Sequence, residues 1–420
     1  MLNQLKNTYD LVVIGGGPAG MAAAISAQEA GIESILIVER DDDLGGILLQ
    51  CIHAGFGLHV FREELTGPEY AHRYLMRVID EGIDYVTRCF VTDAFTESGS
   101  TPIHHLQLRS ERFGLAEITA KAVILAMGCR ERTRQAIHIP GSRPSGVMTA
   151  GLAQKMVNIH HKMPGKRVVI LGSGDIGLIM ARRLALEGAE VLSVYELMPY
   201  SNGLTRNIVQ CLEDYDIPLH LQTTVTRIYG SKRLESVDVA PVDENGAIIS
   251  EKTQNIACDT LLLSIGLIPE IEIARMFGCE IHPTTQGPSV NSSLETTTAG
   301  VFACGNVLHV HDLADNVSLE SERAGKNAAA YLQGKRKFDD IKLVPGNGVR
   351  YCVPHSLRRG QDQIVSLRVT KPMQNISLRL GNVYERKIGL AIPSEMIHLK
   401  VPASKLEAHS EESIVLESFE

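Results

Sequence analysis

Apolar and small residues repeat one pattern at two places in the chain. Tyr9 to Ile14 is an apolar run that stops at Gly15-Gly-Gly17-Pro18-Ala19-Gly20. An Ala-rich helical stretch follows from Met21 to Ala30, and a second apolar run, Ser34 to Val38, closes on Glu39. The pattern returns with Arg167 to Leu171, then Gly172-Ser-Gly174-Asp175-Ile176-Gly177, a helical stretch Leu178 to Glu187, and the run Glu190 to Tyr195 closing on Glu196. Each copy predicts strand, glycine turn, helix, strand. Beyond about Phe338 the texture changes. Arg350 to Val353, Gln363 to Val369, Ile376 to Leu380, Lys387 to Ile392 and Glu395 to Val401 are short β-like runs separated by Gly, Pro and Asn, followed by an acidic end at Glu411 and Glu412. Turn spacing of this kind predicts a small β-sandwich-like domain.

The glycine positions have a mechanical reading. Gly15 allows the tight turn, Gly17 lets backbone approach a pyrophosphate, and Gly20 lets helix and strand pack closely. The helix N-terminus then offers N–H groups and a positive dipole end to phosphate. Glu39 suits hydrogen bonding to ribose hydroxyls. Gly172, Gly174, Gly177 and Glu196 repeat the set, so two dinucleotide sites are expected. A carboxylate at Glu196 accepts from the 2′-hydroxyl of NAD and repels the 2′-phosphate of NADP. Leu197 and Met198 supply no arginine for that phosphate, so NAD(H) is favoured over NADP(H).

Composition narrows the picture. The 420 residues are 44% hydrophobic and 21% charged, with net charge -8, no Trp and 5% aromatics. No basic tract or stacking platform suggests nucleic acid. The first residues show no secretory pattern and no apolar run long enough to span a bilayer, so a cytoplasmic protein with no transmembrane segment is expected. Eight cysteines are dispersed without a C-x-x-C pair, so no zinc ribbon or local iron–sulfur framework is expected, and no metal. His309-Val-His311-Asp312 on a loop is thin evidence for one and reads instead as a structural feature.

Two such motifs in this order resemble the two-dinucleotide-binding flavoproteins, the pyridine nucleotide–disulfide oxidoreductase family. Ala122 to Gly128, Asp259 to Pro269 through Gly266, and Thr298 to Asn306 through Gly305 resemble further family segments. The resemblance implies FAD in the first fold and NAD(P) in the second. On it, Gly15, Gly17, Pro18, Ala19, Gly20, Glu39, Arg40, Gly45, Gly46, Ala126, Gly128, Gly305 and Asn306 bind FAD. Gly172, Gly174, Asp175, Ile176, Gly177, Glu196 and Gly266 bind NAD. Asn306 stands where relatives usually carry Asp for the ribityl chain, and a helix from Val317 to Leu332 would aim its N-terminus at the flavin. The expected fold is α/β, with two Rossmann-like domains and a small all-β C-terminal domain. Its segments are 1–145 (FAD), 146–284 (NAD(P)), 285–337 (FAD, second segment) and 338–420 (β).

The redox dithiol of the family's disulfide reductases is missing from its usual places. Gly45 to His53 carries one cysteine, Cys51, among aliphatics. Cys51 and His53 are the candidate catalytic residues, read either as a redox-active thiol helped by an imidazole or as packing for the flavin pocket. Arg130, Arg132 and Arg134 read as phosphate or partner contacts, or as a solvated face. The stretch from Gly45 to Ala71 resembles a subgroup found beside glycerol-3-phosphate dehydrogenase-like flavoproteins, with opine oxidase and hydrogen cyanide synthase subunits more distant. That implies an oligomeric assembly with a partner flavoprotein or iron–sulfur subunit, exchanging electrons with a nicotinamide. Direct oxidation of a small amine or hydroxy acid, and a non-catalytic scaffold, are the alternatives.

Overall fold

The structure, a computed structural model, describes residues 4–99, 101–335, 339–407 and 409–419. It divides into two compact units, 1–129 with 269–420, and 130–268.

The first unit is built on a seven-stranded sheet. Asp84–Val86, Ile35–Val38, Thr8–Ile14 and Gly114–Leu125 lie side by side in parallel. Gly114–Leu125 is shared between two neighbourhoods. Its first half pairs antiparallel with Ile103–Ser110, while Val123 to Leu125 pair in parallel with Val301–Ala303. From Leu11 to Ile14 and from Ile35 to Val38 the central strands are apolar and buried without a break because both faces are covered. Helix Pro18–Glu29 covers one face, and Ala19 to Ala27 are all buried. A helix apolar all round needs a second layer. Helix Ala314–Leu332 supplies it, so closely that a Cβ on Gly325 would lie 2.2 Å from the Ala23 carbonyl oxygen.

Both glycine-motif helices start inside their motifs, three residues before the expected Met21 and Leu178. Gly17 and Gly174 act as extended N-caps. Pro18 has no N–H to lose and already holds a helical φ, so it opens the first helix well. Helix Ala314–Leu332 likewise starts earlier than Val317.

The second unit carries an all-parallel sheet in the order Val147–Thr149, Thr260–Leu263, Arg167–Leu171, Glu190–Tyr195, Leu219–His220, beside an antiparallel three-stranded sheet. The unit borders fall at 129/130 and 268/269, before the expected 145 and 284. Contacts explain both. The segment after Glu131 belongs to the second unit because the Pro140 carbonyl accepts the Ile228 N–H at 3.1 Å and the Ser142 N–H donates to the Ile228 carbonyl at 3.0 Å. The segment from Pro269 belongs to the first because Ala274 and Phe277 are buried in its core, Phe277 edge-on to His104. The expected border at 337/338 lies outside the described residues.

The C-terminal region is two facing sheets of five and three strands around their own apolar cluster. It includes two strands the sequence reading omits, Asp340–Pro345 and Ser413–Phe419, which pair in parallel. Ile414 and Leu416 alternate inward directly after the acidic Glu411 and Glu412, and the charge hides the period. The region packs within the first unit, where Tyr351 and Val353 join the main core.

Candidate functional site

The first glycine motif forms a cradle. Gly15 has φ +104° and sits under the Ala126 carbonyl, where a Cβ would come within 2.4 Å of the oxygen. A Cβ on Gly20 would lie 1.8 Å from the Gly15 oxygen, so the helix start is locked onto the turn by size alone. Around Gly17 the nearest atom to an added Cβ is the Gly46 Cα at 4.0 Å, leaving backbone accessible where a phosphate would approach. Glu39 is buried, and its carboxylate accepts from the Gly16 N–H at 2.6 Å and the Asp41 N–H at 2.8 Å. Gly45 N–H donates to the Gly16 carbonyl at 2.8 Å, bringing the Gly45–Gly46 pair to the same turn. Arg40 pairs with Glu270 at 3.8 Å. Ala126 and Gly128 end the neighbouring strand, with Gly128 at φ +72° and no atom within 4 Å of an added Cβ. These small residues and the acid fit an elongated dinucleotide such as FAD.

The second motif repeats the geometry. Gly172 has φ +95°, and a Cβ on it would lie 2.1 Å from the Ser264 oxygen. Glu196 is buried and accepts from the Ser173 N–H at 2.9 Å, the Ser173 hydroxyl at 2.6 Å and the Met198 N–H at 2.9 Å. Gly177 N–H donates to the Ser264 hydroxyl at 3.1 Å. Asp175 in the helix's first turn accepts from the Leu204 N–H and the Asn207 amide at 2.8 and 2.6 Å, and Ile176 packs on the core. Gly266 receives the Arg132 N–H at 2.9 Å. The acid therefore stands 23 residues after its backbone donor in both motifs.

Cys51 and His53 lie on one turn of the first unit, after the 3-10 segment Gly46–Gln50. The Cys51 thiol donates to the Ile47 carbonyl at 3.3 Å, and burial pushes it up to about 12. A thiol held that high is protonated at neutral pH and is a poor nucleophile. His53 sits 5.1 Å from the Phe56 ring. The loop that follows is pinned by a residue the sequence reading did not select. Buried Asp315, in the first turn of helix Ala314–Leu332, accepts from the N–H groups of Gly57, His59 and Val60.

Gly305 and Asn306 open a loop whose side chains turn inward. Asn306 Oδ1 accepts the His311 N–H at 3.0 Å. Gly305 N–H donates to Glu320 Oε1 at 2.9 Å, and His309 Nε2 lies 2.8 Å from Glu320 Oε2. Burial pushes His309 down to about 4, so its imidazole is neutral. Asp312, the acid of the His309-Val-His311-Asp312 run, instead pairs with Arg368 and accepts from Met396 N–H at 2.6 Å. Of the three arginines after Gly128, Arg134 is spent on its own loop rather than on a phosphate or partner, its guanidinium donating to the Ile139 and Gly141 carbonyls at 2.9 and 3.1 Å.

Paired cradles with matching acids define a flavin- and nicotinamide-dependent oxidoreductase architecture. The chain belongs to the pyridine nucleotide-disulphide oxidoreductase family, whose model matches residues 9–331. Members are FAD-dependent oxidoreductases that also bind a nicotinamide cofactor. The chain is 25% identical over 359 residues to one of the opine oxidase subunits of Agrobacterium tumefaciens, covering 81% of this chain and 67% of that protein. It is 27% identical over 316 residues to hydrogen cyanide synthase subunit HcnB of Pseudomonas protegens, covering 70% of this chain and 65% of that one. In fold it is similar to the thioredoxin reductase of Lactococcus lactis, with TM-score 0.63 and 19% identity over 78% of this chain and 99% of that one. Among the described residues no helix is long and apolar enough to cross a membrane.

Proposed function

We propose that the chain passes electrons between NAD(H) and a partner subunit through FAD held in the first cradle. The observation that carries this reading is the duplicated acid: Glu39 and Glu196 each hold the middle residue of a glycine loop 23 positions upstream. Bound FAD supplies a two-electron carrier able to take a hydride from a nicotinamide. The protein's part is orientation and electrostatics. The Pro18–Glu29 and Asp175–Leu186 helices present their N-termini to the pyrophosphates, and the two acids hold the ribose ends.

Glu196 supports NAD(H) over NADP(H), because a 2′-phosphate would meet a carboxylate and the following Leu197, Met198, Pro199 and Tyr200 bring no cation. We read the chain as working without the family dithiol, since Cys51 is the one cysteine between Gly45 and His53 and its thiol stays protonated. A partner subunit is supported by the relatives, two of which are named as subunits. The cytoplasmic setting and an oligomeric state belong to the same reading and rest on the sequence. A second reading, direct oxidation of a small amine-type substrate, draws on the likeness to the opine oxidase protein.

An anaerobic titration with NADH and then NADPH, following flavin absorbance, tests the proposal. Rapid bleaching by NADH is expected. Flavin that stays oxidised with both nicotinamides, but bleaches with an opine-type substrate, would replace it with the second reading. In Glu196→Ser the preference should move toward NADPH by about tenfold, roughly 1.4 kcal/mol of differential binding. An equal loss for both nicotinamides would reduce Glu196 to a loop anchor.

A further inference from the structure

A buried cluster in the first unit has chemistry that the nicotinamide–flavin reading does not use. His309 and His311 sit two residues apart on the loop after Gly305, with their ring centroids 4.2 Å apart. Glu320 reaches them from the second turn of helix Ala314–Leu332. Its Oε1 is fixed by the Gly305 N–H at 2.9 Å, which aims Oε2 at both rings. His309 Nε2 lies 2.8 Å and His311 Nε2 3.4 Å from that oxygen. The three donor atoms lie within 4.8 Å of one another, and the side chains are 0%, 1% and 3% exposed.

One member of the cluster is poorly served by protein alone. The His311 ring is buried, its Nδ1 has no hydrogen-bond partner among the described residues, and its Nε2 has only the long approach to Glu320 at 3.4 Å. An unpartnered buried polar group costs on the order of 1–3 kcal/mol. A third imidazole, His398 on strand Ile397–Val401, is electrostatically coupled to His311 and Glu320 and also keeps a buried Nε2 with no partner. Metal coordination would use such lone pairs directly. In tetrahedral zinc geometry, ligand atoms about 2.0–2.2 Å from the ion stand roughly 3.3 Å from one another. The His311–Glu320 separation of 3.4 Å matches that spacing, and the 2.8 Å between His309 and Glu320 is a hydrogen-bond distance that would open on metal binding. Two imidazoles and one carboxylate make a set suited to divalent zinc or cobalt, and the Gly305 N–H orients the carboxylate as an outer partner should.

We propose that His309, His311 and Glu320 form a binding site for a divalent transition-metal ion, zinc by its ligand set, with one coordination position left open. The site ties the Gly305–Asn306 loop to the long helix behind it, and the C-terminal sheets close over it through Tyr351, whose ring packs on His309 at 6.1 Å. The rival is a metal-free hydrogen-bonded cluster in which the buried Arg323 guanidinium balances Glu320.

The test is metal analysis of the purified full chain. It is followed by chelator dialysis and Co²⁺ titration, read as a difference spectrum against the flavin background and by competition with a chromophoric chelator. The expected result is one ion per chain and a tetrahedral Co²⁺ band. Both His311→Gln and Glu320→Gln should weaken binding at least about tenfold while the thermal transition and flavin content persist. Glu320→Gln keeps an acceptor for Gly305; should it fail to fold, His311→Gln decides alone. A chain that purifies without metal and gives no Co²⁺ band overturns the site, as does Co²⁺ binding undiminished in His311→Gln. Either result leaves NADH bleaching untouched, so the two proposals fail separately.

Discussion

The two glycine cradles use the same device at different tightness. In the first, the residue between the glycines is Gly16, which offers Glu39 one backbone bond at 2.6 Å and has no room for more: an added Cβ would lie 2.3 Å from Leu44 Cδ2. In the second, Ser173 offers Glu196 both its N–H and its hydroxyl. The third glycine differs as well. A Cβ on Gly20 meets a backbone oxygen at 1.8 Å, whereas one on Gly177 meets first the side chain of Ser264, at 2.6 Å. Turning the serine moves its Oγ at 2.9 Å but not its Cβ, so Gly177 is also required by size, though at a longer distance than Gly20. Both turns are thus fixed by main chain, but the helix start of the first cradle is locked at 1.8 Å and that of the second at 2.6 Å. That difference suits a site for a resident cofactor beside a site for one that exchanges.

The largest test of this contrast is the matched pair Gly20→Ala and Gly177→Ala. The first should cost about 3 kcal/mol or more and strip the flavin, the second about 1 kcal/mol, the range for overpacking. Thermal melts with flavin quantitation measure both, and equal losses would erase the distinction.

Acid probes the first unit on its own. Burial holds His104 near 4 against an ordinary 6.5. The unfolded chain therefore binds more protons between those values. Stability is intact above about pH 6.5 and falls toward pH 4, by up to about 3 kcal/mol from this residue. Denaturant melts across that range should show a flatter pH slope in His104→Gln than in the parent; parallel slopes would remove His104 as the source.

Ser173→Ala should be milder. It deletes one hydrogen bond to a buried carboxylate, about 1.5 kcal/mol, and should raise the NADH dissociation constant more than it lowers flavin content. A loss of flavin instead would mean that the two cradles are not independent. The smallest effect belongs to Cys51→Ser, for which the rate of flavin reduction by NADH should stay within about twofold, as fits a thiol kept protonated by burial. A collapse of that rate would return Cys51 to the chemistry.

The cradles were legible in the sequence because their causes are local. Turn glycines, the helix start and the closing acid all fall within about 25 residues of one another, and each has a size or charge reason readable from residue type. What escaped depends on residues brought together from afar. Glu320 joins His309 and His311 only once its helix is placed, and Asp312, the nearer acid, turns away to Arg368. Asp315 holds a loop more than 250 positions upstream. Arg134 looked free for a ligand until its carbonyl partners folded around it. The borders at 129 and 268 depend on distant residues in the same way, since packing partners rather than composition decide them.

The strand Val301–Ala303, which completes the first sheet, and the helix packed on Gly325 are among the last third of the chain to be made. The second unit, 130–268, is continuous and can close as soon as it leaves the ribosome. The amino-terminal half-sheet must wait for about 170 further residues, roughly 10–35 s at ordinary elongation rates. Through that interval its apolar edge and the Ala-rich helix lack their cover. The amino-terminal half of the first sheet is therefore made before the second unit and completed after it.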